Sequence, residues 1–324
     1  MTQDITRFHP FFDPYRQGHS LTTRVRIVIA LGIGGFFAAL NFLALPDKSV
    51  FFEQETWILG AIISTAILAL FIATEVHRGN FRLIDRLLGN NRLSDELVQG
   101  WLSDRAYLRA GLIFAVMSVT VAHLLGVPKA FHVGLWPLIS IYLTYFVSGF
   151  TAGMGLWSIF GVVVLYLKFA PLLPHTLDPQ DPDGVGGIKL LGNSLWFFAT
   201  LVAAVGLLIA VYLFSVDWVF MEQEAIRLLF SVWLALPFVL AISIVLLPGL
   251  AVRRQVSRFK HYKAEQLREE KAQLFASYKQ FQAAGDDEII ASKKELNERL
   301  NQVQQQMQQL RRMRNSHLDR SDKA

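Results

Sequence analysis

Six apolar stretches, at roughly residues 27–45, 56–75, 109–126, 134–170, 195–214 and 228–247, leave this chain few folds to choose from. A helix rises ~1.5 Å per residue, so about 20 apolar residues cross a hydrocarbon core ~30 Å thick. Open sheet edges find no hydrogen-bond partners in lipid, so all six stretches are expected to be helical. Hydrophobic residues make up 53% of the 324 and charged residues 18%, and the mean hydropathy is +0.37, too apolar for an ordinary soluble domain. The pattern predicts an all-α polytopic membrane protein. Its first stretch follows a long polar lead, Met1 to Arg26, rather than the short basic start of a cleavable signal, and reads as a retained span.

Basic residues predict the orientation. The lead carries Arg7, Arg16, Arg24 and Arg26, and the loop after the second stretch carries Arg78, Arg82, Arg86, Arg92, Arg105 and Arg109. The alternate loops hold only Lys48, Lys129 and Arg227, two of them beside acidic residues. Six spans with both termini in the cytoplasm satisfy every loop. Trp57, Trp136, Trp218 and Tyr212 are then expected at the outer membrane boundary, and Tyr107, Tyr166 and Trp196 at the inner one. The net charge of +5 points to topology and to anionic headgroups as partners, not to nucleic acid.

Residues 1–249 form the expected six-span domain. Within it, 76–108 reads as an amphipathic cytoplasmic loop of two surface helices: Phe81, Leu83, Ile84, Leu87 and Leu88 on one, and Leu97 and Trp101, capped by Ser94, on the other. The fourth stretch is longer than one crossing needs and is expected to be one helix that runs on beyond the bilayer. Residues 250–324 read as a cytoplasmic coiled-coil hairpin with a frayed end. Val256, Phe259, Leu267, Leu274, Tyr278 and Phe281 mark a stripe on its first arm. Gly285 breaks the pattern, and Asp286, Asp287 and Glu288 suit the start of a second helix. On that second arm Ile289, Leu296, Leu300, Val303, Met307 and Leu310 form a heptad seam. The stripes could pair within one chain or between chains. Arg253, Arg254, Arg258, Lys260 and Lys263 follow the sixth stretch and suit lipid-headgroup contact or retention of the tail on its side of the membrane.

Ser140, Thr144, Ser148, Thr151, Gly155 and Ser158 recur at spacings of four or three in the fourth stretch. One helix face therefore carries a line of hydroxyls, which in lipid must meet protein or water. They line a solute pathway or a close helix contact, and Gly149 and Gly153 suit the contact.

The loop 171–194 is rich in proline, glycine and aspartate and predicts a fixed, non-helical path. Asp178, Asp181 and Asp183 are weak candidates for a hard cation, without the terminal glutamate of an EF-hand. Gly184, Gly186 and Gly187 could offer amides to a phosphate. Pro182-Asp183, Gly186-Gly187-Ile188 and Leu191-Gly192 form a Pro-Asp-x-x-Gly-Gly-hydrophobic-x-x-Leu-Gly pattern. It resembles a loop of uncharacterised bacterial inner-membrane proteins, which usually carry His where this chain has Asp181. The resemblance covers eleven residues of 324 and implies a bacterial inner-membrane protein, with no activity attached.

The absence of cysteine excludes disulfides, thiolate nucleophiles and iron–sulfur clusters. Zincin, serine-hydrolase, phosphate-loop and dinucleotide motifs are missing, so neither catalytic residues nor a cofactor is expected. The sequence points to a non-enzymatic membrane-anchored scaffold or assembly component, homo-oligomeric or bound to a cytoplasmic protein through 253–314. The alternative is an ion or small-solute channel lined by the fourth span.

Overall fold

The structure, a computed structural model, describes residues 22–89, 100–175, 177–181, 183–284 and 289–313. It is all-helical, with no strand among the described residues: α1 (Thr23–Ala44), α2 (Ser49–Glu53), α3 (Trp57–Leu88), α4 (Asp104–Leu124), α5 (Leu135–Phe169), α6 (Lys189–Ser215), α7 (Glu224–Ala284) and α8 (Ile289–Arg312), with 3-10 turns at Lys129–Val133 and Ala170–His175. Helices α1, α3, α4, α5, α6 and α7 are each long and apolar enough to cross a membrane. Their outer faces are apolar: Leu43, Leu112, Ile113, Leu207, Phe214, Leu228 and Leu247 are all more than half exposed. Such a surface suits lipid and not water. This is a membrane-type architecture.

By contacts the chain divides into two units, Met1–Leu165 with Leu195–Leu246, and Tyr166–Ser194 with Leu247–Ala324. In the first unit α3 and α5 are central. Their most apolar windows are 61% and 56% buried, against 17% in α1 and 22% in α7. Three connections meet at one end of this unit. The Lys129 amide donates to the Asp217 carbonyl at 3.2 Å, the Phe220 amide to the Leu125 carbonyl at 3.3 Å, and the Asp217 amide to Gln54 Oε1 at 2.9 Å. Beneath them Phe51, Phe131, Tyr212, Trp218 and Phe230 belong to one apolar cluster.

Helix α1 is seated on α3 by small residues. Its buried positions, Ala30, Gly34, Phe37 and Asn41, recur every three or four residues as one stripe. A Cβ placed on Gly60 would lie 2.5 Å from the Gly34 carbonyl and 2.9 Å from Ala38 Cβ, so the two backbones touch. At the far end of this seam Arg26 pairs with Glu75 at 2.6 Å. At the other end the Lys48 ammonium meets three carbonyls that α1 leaves open, of Phe42 at 2.7 Å, Leu43 at 3.2 Å and Leu45 at 2.5 Å.

Two expectations change. The amphipathic run 81–88 is no separate surface helix, because α3 continues through it without a break and ends at Gly89 in the left-handed region, φ 66°. Phe81 and Ile84 are buried in protein, so their apolar face serves the bundle. Ser94 and Leu97 lie outside the described residues. Among the supposed boundary aromatics, Trp57 and Trp136 are exposed, but Trp218, Tyr212, Tyr107 and Tyr166 are buried. Tyr107, Tyr166 and Tyr212 are turned inward by their rotation about their helices, and Trp218 by the connection between α6 and α7.

Helix α5 is unbroken over 35 residues, passing through the Gly149–Gly155 cluster. Helix α7 runs unbroken for 61 residues, from the sixth apolar stretch into the tail.

Candidate functional site

The hydroxyl face of α5 is buried along its length: Ser140, Thr144, Ser148, Thr151 and Ser158 are each at most 9% exposed. Helical spacing puts them on one face, and the fold gives that face different neighbours along its length. At one end Ser140 donates to Asn41 Oδ1 of α1 at 2.6 Å. Thr144 reaches the same oxygen at 3.3 Å and the Ser140 carbonyl at 2.8 Å. Thr151 bonds back to the Val147 and Ser148 carbonyls, at 3.0 and 3.1 Å. Gly149 and Gly153 press on α4, where added Cβ atoms would meet the Phe114 and Ala110 carbonyls at 2.6 and 2.8 Å.

At the other end Ser158 meets His77 of α3. Nε2 of His77 lies 3.0 Å from both the carbonyl and the hydroxyl of Ser158. A bond to a carbonyl needs a hydrogen on that nitrogen, which fixes Nε2 as the donor. The imidazole stacks on Phe81 at 5.9 Å and leans on Phe198 of α6 at 6.0 Å. Tyr107 of α4 hydrogen-bonds the Ser158 side chain. One serine thus holds α3, α4 and α5 together.

Between these polar ends lies a cavity of about 140 Å³ lined by α3, α4, α5, α6 and α7. Ser148 and Gly155 line it, whereas Ser140, Thr144 and Ser158 do not. At its rim Tyr145 and Tyr212 join hydroxyls at 2.9 Å.

The three loop aspartates do not converge on an ion. Asp178 Oδ1 accepts the Gln180 amide at 2.8 Å and Asp181 Oδ1 the Asp183 amide at 2.9 Å. Asp183 accepts Val185 at 2.7 Å and Lys189 at 3.0 Å, capping α6. Their oxygens close turns, and among the described residues no group of three His, Asp or Glu could hold a metal. Gly184, Gly186 and Gly187 all have positive φ, and a Cβ on Gly186 would lie 2.8 Å from Leu177 and 2.9 Å from Met313. That glycine is required by the turn and by packing.

In the tail Val256, Phe259 and Leu267 of α7 and Leu300, Val303 and Leu310 of α8 are buried, while Leu296, Met307, Leu274 and Tyr278 are half-buried. The side chains of Phe281 and Ile289, and residues 285–288, lie outside the described residues. Arg253, Arg254 and Arg258 are exposed and Lys263 is half-buried. Lys260 is diverted from any headgroup: its ammonium donates to the Met313 carbonyl at 2.5 Å.

Sequence reasoning passed over Asn41, Ser118 and the Tyr145–Tyr212 pair. Asn41 carried a signal, since it is an amide inside an apolar stretch and such groups need a partner. Comparison of the chain with known protein families, curated proteins and solved structures finds no match.

Proposed function

We propose that this chain is a non-enzymatic integral protein of the bacterial cytoplasmic membrane, with both termini in the cytoplasm. It acts as a scaffold or assembly component through a coiled-coil hairpin in residues 250–324. The carrying observation is the return of Met313 to Lys260, two residues equally far from the 285–288 connection, with apolar stripes buried on both arms. This pairing supports an antiparallel hairpin within one chain. The opposite faces of α8 remain exposed and polar, through Gln302, Gln304, Gln305 and Gln306, and are free to recruit a sister chain or a cytoplasmic protein. Exposed Arg253, Arg254 and Arg258 suit anionic headgroups beneath the sixth span.

Deleting residues 286–324 tests the reading. The shortened chain should insert and fold while losing its self-association or its partner, as read by crosslinking in membranes. Unchanged crosslinking would refute it. A reporter fused after Ala324 should be active in the cytoplasm.

The channel reading has less support. Ser140, Thr144 and Ser158 spend their hydroxyls on α1, α3 and α4. Single cysteines at Thr144 and Ser158 should resist a water-borne thiol reagent, and labelling at both would restore that reading.

A further inference from the structure

The cavity in the first unit has the character of a ligand site. It follows α3 from Leu59 to Ala73, a length of about 21 Å at ~1.5 Å per residue. The room comes from small side chains: Ala66, Ala69 and Ala73 on α3 face Gly149, Ala152 and Gly155 on α5. No Asp, Glu, Lys, Arg or His lines it. A charged occupant would lose its hydration with no counter-charge, so a charge is excluded. Water is a poor occupant too, since a buried water needs two to four polar partners, and apolar cavities of ~150 Å³ stay dry and take up benzene.

Two polar groups are placed along it. Ser148 is 8% exposed and lines the cavity. Ser118 of α4 lies across the helix contact from Gly149, the residue after Ser148, for a Cβ on Gly149 would lie 2.6 Å from Ser118 Cβ. Ser118 lines the cavity as well, while the hydroxyls of Tyr145 and Tyr212 pair with one another. A hydroxyl on an otherwise apolar wall offers a ligand's polar atom a hydrogen bond that the surrounding side chains do not.

We propose that this cavity binds an uncharged, lipid-like molecule, its apolar body along the alanine side of α3 and one neutral carbonyl or hydroxyl bonded to Ser118 and Ser148. The site is independent of the tail and of the scaffold reading. Its occupant is either a bilayer lipid or a small free molecule of the same chemistry.

Gly155 provides the test. It lines the cavity, and a Cβ placed there meets nothing within 4 Å, so the leucine of Gly155→Leu starts into open space. Full-length protein in lipid nanodiscs is dialysed to equilibrium against naphthalene or 1-naphthol, with empty nanodiscs subtracted. The wild type should bind both saturably, and 1-naphthol more tightly. Ser148→Ala should weaken 1-naphthol about tenfold, the worth of roughly one hydrogen bond, and leave naphthalene unchanged. Gly155→Leu should lose both probes while unfolding at a temperature no lower than the wild type. Mass spectrometry of the purified protein separates the sources: a lipid carried by the wild type and missing from Gly155→Leu identifies a bilayer lipid, and probe binding without one identifies a free molecule. Absence of saturable binding by the wild type, or full binding by a folded Gly155→Leu, would overturn the proposal. Equal weakening of both probes by Ser148→Ala would overturn the role of the hydroxyl.

Discussion

Alanine at Gly34 and alanine at Gly35 are the same chemical change one residue apart on α1, and they should act in opposite directions. Gly34 faces α3, where an added Cβ collides with the Gly60 carbonyl and Ser64. Around Gly35 the same methyl meets nothing within 4 Å. Restoring ordinary contacts at Gly34 requires α1 and α3 to part by about 1 Å, because a helix carbonyl cannot rotate away. A radial gap of that size forfeits a quarter to a half of each dispersion contact along the stripe, and overpacking of this kind costs ~1–3 kcal/mol. Gly35→Ala removes only the conformational freedom of an exposed helical glycine and should stabilise by ~0.5–1 kcal/mol. The gap between the two variants is then about 1.5–4 kcal/mol. Unfolding of the full-length protein in mixed micelles, followed by circular dichroism against rising SDS, measures it. Gly60→Ala should match Gly34→Ala, since its Cβ would sit 2.5 Å from the Gly34 carbonyl. Equal stabilities for Gly34→Ala and Gly35→Ala would refute the close seam.

Three further outcomes follow from single contacts. In a double-mutant cycle of Asn41→Ala and Ser140→Ala the two losses should fail to add by about 1 kcal/mol, within the range for hydrogen bonds between membrane helices, and strict additivity would remove the 2.6 Å bond from the account. Asp183→Ala should cost ~1 kcal/mol through the lost amide bonds at Val185 and Lys189, with Asp183→Asn costing less; a neutral Asp183→Ala would mean that the cap contributes nothing. Gly126→Ala combines a left-handed φ of 72° with a Cβ 2.8 Å from both Phe220 and Val219, so it should destabilise by at least ~2 kcal/mol, and a milder loss would show that this turn yields easily.

The six helices long and apolar enough to cross a membrane were legible because hydrocarbon thickness sets a length that composition alone reveals. The tail stripes were legible for a similar reason, since apolar spacing reports which face of α7 or α8 is covered. Neighbours were harder to read. A spacing of four puts Ser140 and Ser158 on one face of α5, but it cannot say that one meets Asn41 and the other His77, which depends on how three other helices cross. The same limit explains residues 81–88, where an apolar face suits a membrane surface and a protein core equally well. It explains Tyr212 and Trp218 too, because place along the chain does not give the direction in which a side chain turns. The loop aspartates failed as ligands because a carboxylate two residues before an amide closes a turn locally, at far lower entropic cost than gathering three carboxylates around an ion.

Lys48 fastens the turn that follows α1 to the helix it has just left. Its ammonium rests at the negative end of the α1 dipole and over the ring of Phe42, at 5.2 Å, so one flexible side chain serves as the stopper for a helix end. Replacing it with methionine would strand three carbonyls at once and leave the step from α1 to α2 without its clasp.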